Sequence, residues 1–336
     1  MISTEKHRFL MESEFLSLTK LPYAFVEIII ATIALIGNGL VIFVFWREKK
    51  LQTFSNYHIM SLSVADLFVG LFAVPIAILI EAQTPREHYA CLFLISMLLA
   101  TCLISIFSRI GVSIDRYWAI VHPLSYIRNR NTKKSVYIIG ACWTLAIMFG
   151  YLPIVGWHAG NLEAKCNFMK KTSSSYLVLF CFVCFIIPTT AFVFIYKQIY
   201  CVIHKKIKAE KSSKLHTVET LKKSTKVDIE ELERMTTMEI KIIKKKEIKA
   251  TKLMTIIVAF FILSWLPLHV MNMKCSVFKK CAETQYIRQV LVIATHVNSA
   301  VNPLFYAYHI KGFRKVWQKT FVLRNSMNSE QILHSK

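Results

Sequence analysis

The sequence has little charge for its length, and that charge is unbalanced. Only 18% of the 336 residues are Asp, Glu, Lys or Arg, while 54% are hydrophobic. A soluble domain carries about 25% charged residues. The apolar residues are concentrated in blocks of about 20 or more, which excludes a soluble globular protein and a disordered chain.

Signatures of catalysis and of transport are also missing. The sequence contains no Gly-rich phosphate loop, no paired metal-ligand spacing, no G-x-S-x-G nucleophile turn and no internal repeat. No nucleophile can be combined with a base in one site, so we predict that the chain is not an enzyme. A transporter or channel would show inverted repeats, broken mid-membrane helices or a charged pore, and the sequence has none of these.

Seven apolar stretches are long enough to cross a bilayer, whose core of about 30 Å needs about 20 apolar residues. None of them alternates as the strands of a membrane barrel do, and backbone groups in lipid must be paired within a segment. The sequence therefore predicts an all-α membrane protein, a bundle of seven transmembrane helices. The stretches are 22–46, 56–80, 89–116, 136–157, 176–203, 248–273 and 287–309.

The basic residues predict the orientation of the bundle. Most of the 42 Lys and Arg residues lie in 47–55, 116–135 and 197–252 or after position 310. Because cytoplasmic loops are enriched in Lys and Arg, we place the N-terminus outside the cell and the C-terminus in the cytoplasm of a multi-pass plasma-membrane protein. The basic surface then faces lipid and cytoplasmic partners, so we expect no binding of nucleic acid.

We divide the chain into an extracellular N-terminus, 1–21, a transmembrane domain, 22–309, and a tail, 310–336. Within the domain, the Lys-, Glu- and Thr-rich run 204–247 is predicted to be a cytoplasmic loop. Its two ends are expected to extend helices and its middle to be mobile. The tail begins with apolar residues spaced among basic ones, which predicts a short amphipathic eighth helix on the inner leaflet. These apolar residues are Ile310, Phe313, Val316, Trp317 and Phe321.

Each span carries a conspicuous polar residue or proline, and buried ionisable groups in membranes usually mark function. The motifs include G-N-G at 37–39, S-V-A-D ending at Asp66, Asp115-Arg116-Tyr117, Trp265-Leu266-Pro267 and Asn302-Pro303-Leu304-Phe305-Tyr306. In this order and spacing, over nearly the whole chain, they resemble the rhodopsin-like G-protein-coupled receptors.

The resemblance implies a conformational switch at the cytoplasmic end. Arg116 is expected to lie near Asp115 and, in the resting state, near Glu247 at the base of the sixth helix. Loss of that contact lets the sixth helix swing out and admit a heterotrimeric G protein; arrestin and a receptor kinase are further implied partners. The other residues assigned to the switch are Tyr117, Tyr196, Asn302, Pro303 and Tyr306.

Asp66, Ser105, Asn298 and Ser299 resemble the sodium pocket of the family, so an allosteric sodium ion is the one cofactor implied. A buried, hydrogen-bonded Asp is the alternative. Arg109 departs from the pattern, since relatives carry an aliphatic residue there. It lies one helical turn from Ser105, and we expect it to reach Asp66, weaken sodium binding and raise ligand-free activity. The alternative is a snorkelling arginine without effect on signalling.

The resemblance also implies a disulfide between Cys91, at the start of the third helix, and Cys166 in the second outer loop. Cys275 and Cys281 flank a five-residue outer loop and can close a second disulfide. Both pairs fall on the predicted oxidising side of the membrane. The remaining cysteines are expected to be reduced packing residues: Cys102, Cys142, Cys181, Cys184 and Cys201.

Two ligand classes are disfavoured by single positions. Amine receptors resemble one another in an Asp seven residues after the first disulfide Cys, and Leu98 occupies that place. Opsins need a Lys on the seventh helix, where this chain has His296. The remaining pattern resembles the adenosine receptors: the run from Trp265 to Asn272, the His296 region, Glu27 on the first helix and Phe168 two residues after Cys166.

This resemblance implies a purine nucleoside, adenosine or a relative, as the extracellular ligand. Phe168 would stack on the base, and Asn272 would pair with its N7 and exocyclic amine as Asn reads adenine. Thr295 and His296 would bind the ribose, with Glu27 holding the His296 ring. Buried structural roles for Phe168 and for the Glu27–His296 pair are the alternatives. The remaining pocket residues are Leu99, Trp265, Leu268, His269 and Met271.

Three departures favour weak adenosine binding or a related purine. Met169 stands where the subfamily has an acid, Cys102 where it has a Thr, and Cys181 or Phe180 where it has an Asn. The alternative is an orphan receptor of the same class for another small amphipathic ligand, with constitutive activity.

Overall fold

The computed structural model describes residues 2–128, 131–160, 165–224, 255–277 and 285–309. Within these ranges the chain is helical and forms no β-strand, apart from one isolated bridge between His158 and Thr172. The predicted all-α membrane fold is confirmed. Glu247, Cys281, most of the predicted cytoplasmic loop and the predicted eighth helix lie outside the described residues.

Seven long helices, α1 to α7, correspond to the seven predicted spans. Two of them, α2 and α5, pass through one π-helical turn each, at Val69–Ala73 and Phe182–Ile186. The helices are α1 (Ile2–Arg47), α2 (Phe54–Phe68 and Val74–Glu81), α3 (His88–Val121), α4 (Thr132–Gly150), α5 (Ser174–Cys181 and Ile187–Ser224), α6 (Thr255–Val277) and α7 (Gln285–His309).

By length and composition, helices α1, α2, α3, α5 and α6 can each cross a membrane. The other two contain more polar residues. Helix α4 begins with Thr132-Lys133-Lys134, and α7 carries Arg288 and His296 within its length. Polar residues on α7 are expected if that helix faces the interior of the bundle, as ionisable residues in spans do.

Two helix limits differ from the sequence-based prediction, and a third agrees with it. Helix α1 begins at Ile2 and not near 22, because helix formation does not require an apolar sequence. Helix α4 ends at Gly150 and not at 157, because Pro153 has no backbone N–H to continue the helix. Helix α5 continues to Ser224, which confirms the predicted helical extension at the start of the loop.

Helix α3 lies at the centre of the bundle and is buried along most of its length. Its first turn is capped by Glu87, whose carboxylate accepts hydrogen bonds from the backbone N–H groups of Tyr89 and Ala90. These donors lower the pKa of Glu87 below its usual value. The main apolar core joins α3 to α5 and α6 through Ile95, Leu99, Leu103, Ile106, Phe185, Phe192, Phe261 and Trp265.

The close packing of α4 on α3 depends on one glycine. A Cβ atom at Gly150 would lie 2.4 Å from Cα of Ala100 and 2.5 Å from its backbone nitrogen. We expect Gly150→Ala to force the two helices apart and to destabilise the protein by about 1–3 kcal/mol, the usual cost of overpacking. The measurement is the thermal unfolding midpoint of the purified protein together with its surface expression.

Gly140 on the same helix is the matched control. It is exposed, and a Cβ atom added there meets nothing within 4 Å. Gly140→Ala should leave stability unchanged or raise it slightly, because Ala favours helix by about 1 kcal/mol over Gly. An equal effect of the two substitutions would contradict the packing argument.

Candidate ligand-binding site

A cavity of about 120 Å³ opens among the helices at one end of the bundle. This end also carries the disulfide between Cys91 on α3 and Cys166, and we call it the disulfide end. The predicted disulfide is confirmed. Cys275 is also disulfide-bonded; its predicted partner, Cys281, lies outside the described residues.

The disulfide positions Phe168 at the cavity. Cys166 is fully buried, and the next residue, Asn167, caps a short helical turn, Phe168–Lys171, by accepting from the backbone N–H of Met169 at 3.0 Å. Phe168 therefore follows two fixed residues and lines the cavity with a half-buried ring. Such a ring offers a flat apolar surface for a planar ligand.

Eight of the ten predicted ligand-binding residues line this cavity. The other two are not part of its lining: Glu27 contacts His296, and Met271 is buried. The lining residues are Leu99, Phe168, Trp265, Leu268, His269, Asn272, Thr295 and His296. Helices distant in sequence thus contribute to one chamber.

His296 and Glu27 form a buried pair between α7 and α1. Nδ1 of His296 lies 2.9 and 3.0 Å from the two carboxylate oxygens of Glu27, and the side chains are 4% and 0% exposed. A carboxylate only accepts hydrogen bonds, so Nδ1 donates and Nε2 is the ring nitrogen available to the cavity. The pair therefore fixes the direction in which His296 presents its second nitrogen.

A stack of rings lines the inner part of the cavity along α6. The ring centroids of Trp265 and His269 are 5.6 Å apart with 19° between the planes, and His269 stacks on Phe185 at 5.2 Å. Nε2 of His269 also lies 3.1 Å from Sγ of Cys184. His269 is thus held from two sides and presents mainly its ring to a ligand.

Three polar residues that line the cavity were missed by the sequence reasoning: Glu81, Arg288 and Gln289. Oε1 of Glu81 accepts from Nε2 of Gln289 at 2.9 Å and from Nε2 of Gln285. Arg288 also lines the cavity, and its Nε is buried with no hydrogen-bond partner among the described residues. Helical spacing from Thr295, which lies seven residues after Arg288, would have placed Arg288 on the same face of α7.

Beneath the cavity, Asp66 is the centre of a buried polar cluster. Its Oδ1 accepts from Oγ of Ser105 at 2.7 Å and Oγ of Ser299 at 2.8 Å, and its Oδ2 accepts from Nδ2 of Asn302 at 2.6 Å. Asn298, predicted to belong here, is buried, but its Nδ2 has no partner among the described residues. The amide in contact with Asp66 is that of Asn302.

Arg109 brings a positive charge to this cluster. Its Nη2 lies 3.6 Å from Oδ1 of Asp66, and the residue is 5% exposed. The guanidinium also lies over the ring of Phe261 on α6, 5.7 Å from the ring centre. Arg109 therefore balances the charge of Asp66 and extends from α3 to contact α6.

At the opposite end of the bundle, the predicted switch residues surround the end of α3. Arg116 Nε is 4.0 Å from Asp115 Oδ2, while Tyr126 donates its hydroxyl to Asp115 Oδ1 at 2.9 Å. The hydroxyl groups of Tyr196 and Ser113 are 3.1 Å apart. The described residues thus tie α3 to the following turn and to α5.

The other switch residues pack against apolar surfaces. Tyr117 packs on the α5 cluster of Ile195, Ile199 and Ile203, and Tyr306 is buried in a cluster between α1, α2 and α3. Pro303 on α7 lies so close to α1 that a Cβ atom at Gly37 would be 2.9 Å from its Cγ.

The comparisons with known proteins agree with this arrangement. The family model of the 7 transmembrane receptor (rhodopsin family) matches residues 37–306. The chain is 31% identical over 325 residues to adenosine receptor A2a of Homo sapiens, covering 92% of this chain and 74% of the relative. It is 32% identical to adenosine receptor A2b of Gallus gallus, covering 89% and 88% of the two chains. For adenosine receptor A3 of Canis lupus familiaris the identity is 30%, with 94% and 96% covered.

These receptors are signalling proteins and not enzymes, and with its apolar helices the chain is a multi-pass plasma-membrane protein. A receptor of this family has a ligand and a G protein as partners. The chain belongs to the rhodopsin family of seven-transmembrane G-protein-coupled receptors and is similar to the adenosine receptors over most of its length.

Proposed function

We propose that this receptor binds a purine nucleoside in the cavity at the disulfide end and thereby activates a heterotrimeric G protein at the opposite end. The observation that carries the proposal is the presence in one cavity of Phe168, Asn272 and a His296 held by Glu27. The similarity to adenosine receptors supports the same ligand class.

Each of these residues matches one part of a nucleoside. Stacking of a base on an aromatic ring such as Phe168 contributes about 1–3 kcal/mol. The side-chain amide of Asn272 can pair with two adjacent polar atoms on a purine edge. Nε2 of His296 and the hydroxyl of Thr295, which donates to the carbonyl of Val292 at 2.7 Å, are then available to ribose hydroxyls.

The orientation that we propose follows the positive-inside rule and places the N-terminus and the disulfide end outside the cell. Disulfides form in the oxidising extracellular environment, which supports the same direction. The end with Asp115, Arg116 and Tyr117 then faces the cytoplasm and the G protein. Binding of arrestin and of a receptor kinase at this end remains a prediction from the family resemblance.

We further propose that Arg109 takes the place that the family resemblance assigns to a sodium ion. A guanidinium 3.6 Å from Asp66 neutralises the carboxylate, and a second cation would be repelled by it. Arg109 also inserts a charge beside Phe261 between α3 and α6. This supports the second candidate function, a receptor with ligand-free activity.

Cyclic AMP in cells expressing the receptor tests the ligand proposal. Adenosine or a related nucleoside should change cyclic AMP in a dose-dependent way, and Asn272→Ala should weaken the response about 10- to 100-fold, because a bidentate contact contributes about 1–3 kcal/mol. Asn131→Ser is the control, since Asn131 is exposed at the opposite end and Ser also caps a helix, so that α4 keeps its N-cap. Absence of any response from a receptor shown to be at the cell surface would contradict the proposal.

A further inference from the structure

Arg288 is the one Lys or Arg among the described residues that line the cavity. We propose that it makes the receptor selective for 6-oxopurine nucleosides, of which inosine is the simplest, over adenosine. The proposal rests on the purine-nucleoside function above and specifies which purine the cavity prefers.

The position of Arg288 on α7 places it near the base of a bound nucleoside and not near the ribose. Arg288, Val292 and Thr295 follow one another on one helical face, and His296 is adjacent to Thr295. At ~1.5 Å per residue, Arg288 lies about 12 Å along the helix axis from His296, towards the disulfide end. With the ribose bound at His296, the base extends towards Arg288.

The guanidinium of Arg288 requires an acceptor. Its Nε is buried and has no hydrogen-bond partner among the described residues. Guanidinium groups only donate hydrogen bonds. A buried donor without a partner is unfavourable, and a ligand that supplies an acceptor removes this penalty.

The two purine classes differ at the edge that Arg288 can reach. A 6-oxopurine presents adjacent N7 and O6 acceptors, the pair that Arg reads in guanine, whereas adenine presents a 6-amino donor beside N7. The 6-amino group of adenine would face the guanidinium, and because both groups donate hydrogen bonds, no hydrogen bond could form between them. Met169, which also lines the cavity, offers only a thioether, a weak acceptor, to such an amine.

Asn272 fits a 6-oxopurine as well. Its amide carries both an acceptor and a donor, so its oxygen can accept from N1–H of the oxopurine while its NH₂ donates to O6. Adenine has no hydrogen at N1. Arg288 therefore distinguishes the bases, whereas Asn272 is compatible with both.

Two other interpretations of Arg288 are less favourable. Glu81 is an acceptor in the same cavity, but it accepts from Gln285 and Gln289 and forms no ion pair with Arg288 among the described residues. A nucleotide would place its 5′-phosphate at the ribose end, where no Lys or Arg lines the described cavity. The acceptor that Arg288 needs is therefore an oxygen on the base.

The test compares concentration–response curves for inosine and adenosine, measured as G-protein activation. In the unmodified receptor inosine should be about tenfold more potent, the factor that corresponds to ~1.4 kcal/mol. Arg288→Gln should weaken inosine about tenfold and leave adenosine unchanged or improved. Arg86→Gln is the matched control, because Arg86 is exposed near the same end and does not line the cavity.

Arg288→Met is measured alongside, with surface expression, so that a folding defect of one variant does not decide the outcome. An unchanged inosine-to-adenosine ratio in a surface-expressed variant would overturn the proposal. A preference for adenosine in the unmodified receptor would also overturn it. In either case, if Asn272→Ala still weakens the response to the nucleosides, the proposed function as a purine receptor is retained. Failure of both nucleosides to act on the unmodified receptor overturns that function and this proposal together.

Discussion

Replacing Arg109 with leucine is expected to make the receptor responsive to sodium and to lower its ligand-free signalling several-fold. Asp66 keeps its hydrogen bonds from Ser105, Ser299 and Asn302 in this variant but loses its only nearby positive charge among the described residues. A buried carboxylate without a counter-charge binds a cation or a proton. Sodium, which prefers oxygen ligands, can then enter.

The reduced basal signalling has a separate physical cause. Arg109 contacts Phe261 and lines a small cavity with Tyr196 and Tyr306 between α3, α5, α6 and α7. A leucine in this layer packs with the surrounding apolar groups and carries no charge to be hydrated when the layer opens. The resting arrangement of α3 and α6 is therefore favoured.

Two measurements separate the effects. The thermal unfolding midpoint of the purified receptor is compared in sodium chloride and in choline chloride at equal ionic strength. The midpoint of Arg109→Leu should be a few degrees higher in sodium chloride, whereas that of the unmodified receptor should be the same in both salts. Basal cyclic AMP signalling is compared at equal surface expression. Arg109→Lys is the control, because it keeps the charge and should stay insensitive to sodium. Unchanged basal signalling in Arg109→Leu would contradict the expectation.

Replacing Glu27 with leucine should reduce nucleoside potency about 100-fold and lower the amount of receptor at the cell surface. The pair of Glu27 and His296 is fully buried, with both carboxylate oxygens near Nδ1 of the ring. Without Glu27 the buried Nδ1–H has no acceptor, which costs about 1–3 kcal/mol, and the ring is free to turn. The nitrogen that faces the cavity then loses its fixed direction.

Glu27→Gln is the matched variant. Its amide oxygen can still accept from Nδ1 of His296, so we expect it to retain potency within about tenfold of the unmodified receptor, since a neutral hydrogen bond is weaker than a charged one by about 1 kcal/mol. Concentration–response curves at matched surface expression give the comparison. Equal losses for the leucine and glutamine variants would show that the charge, and not the orientation of the ring, is what the cavity requires.

Much of the fold could be predicted from local properties of the chain. A run of about 20 apolar residues must form a helix in lipid whatever lies beside it, so all seven helices were found from hydropathy alone. The Cys91–Cys166 disulfide was inferred from the motif pattern and is present. The start of α1 and the end of α4 were less predictable, because polar residues extend a helix and Pro153 stops one independently of the hydropathy.

Several residues of the site could not be predicted from local sequence patterns, because their positions depend on how the helices pack. Arg288, Glu81 and Gln289 lie near helix ends, where a charged residue is ordinarily exposed to water, and only the packing of α2 against α7 turns them towards the cavity. Likewise Asn298 and Asn302 are one helical turn apart, and the rotation of α7 decides that Asn302 meets Asp66.

Burial in lipid is a property of a segment, whereas a contact between helices depends on how each is rotated and shifted against its neighbours. Hydropathy therefore specifies that this chain is a seven-helix membrane protein, and its ordered motifs indicate the receptor family. That Arg109 lies 3.6 Å from Asp66, and that Arg288 joins Phe168 and Asn272 in one cavity, is decided by the tertiary packing alone.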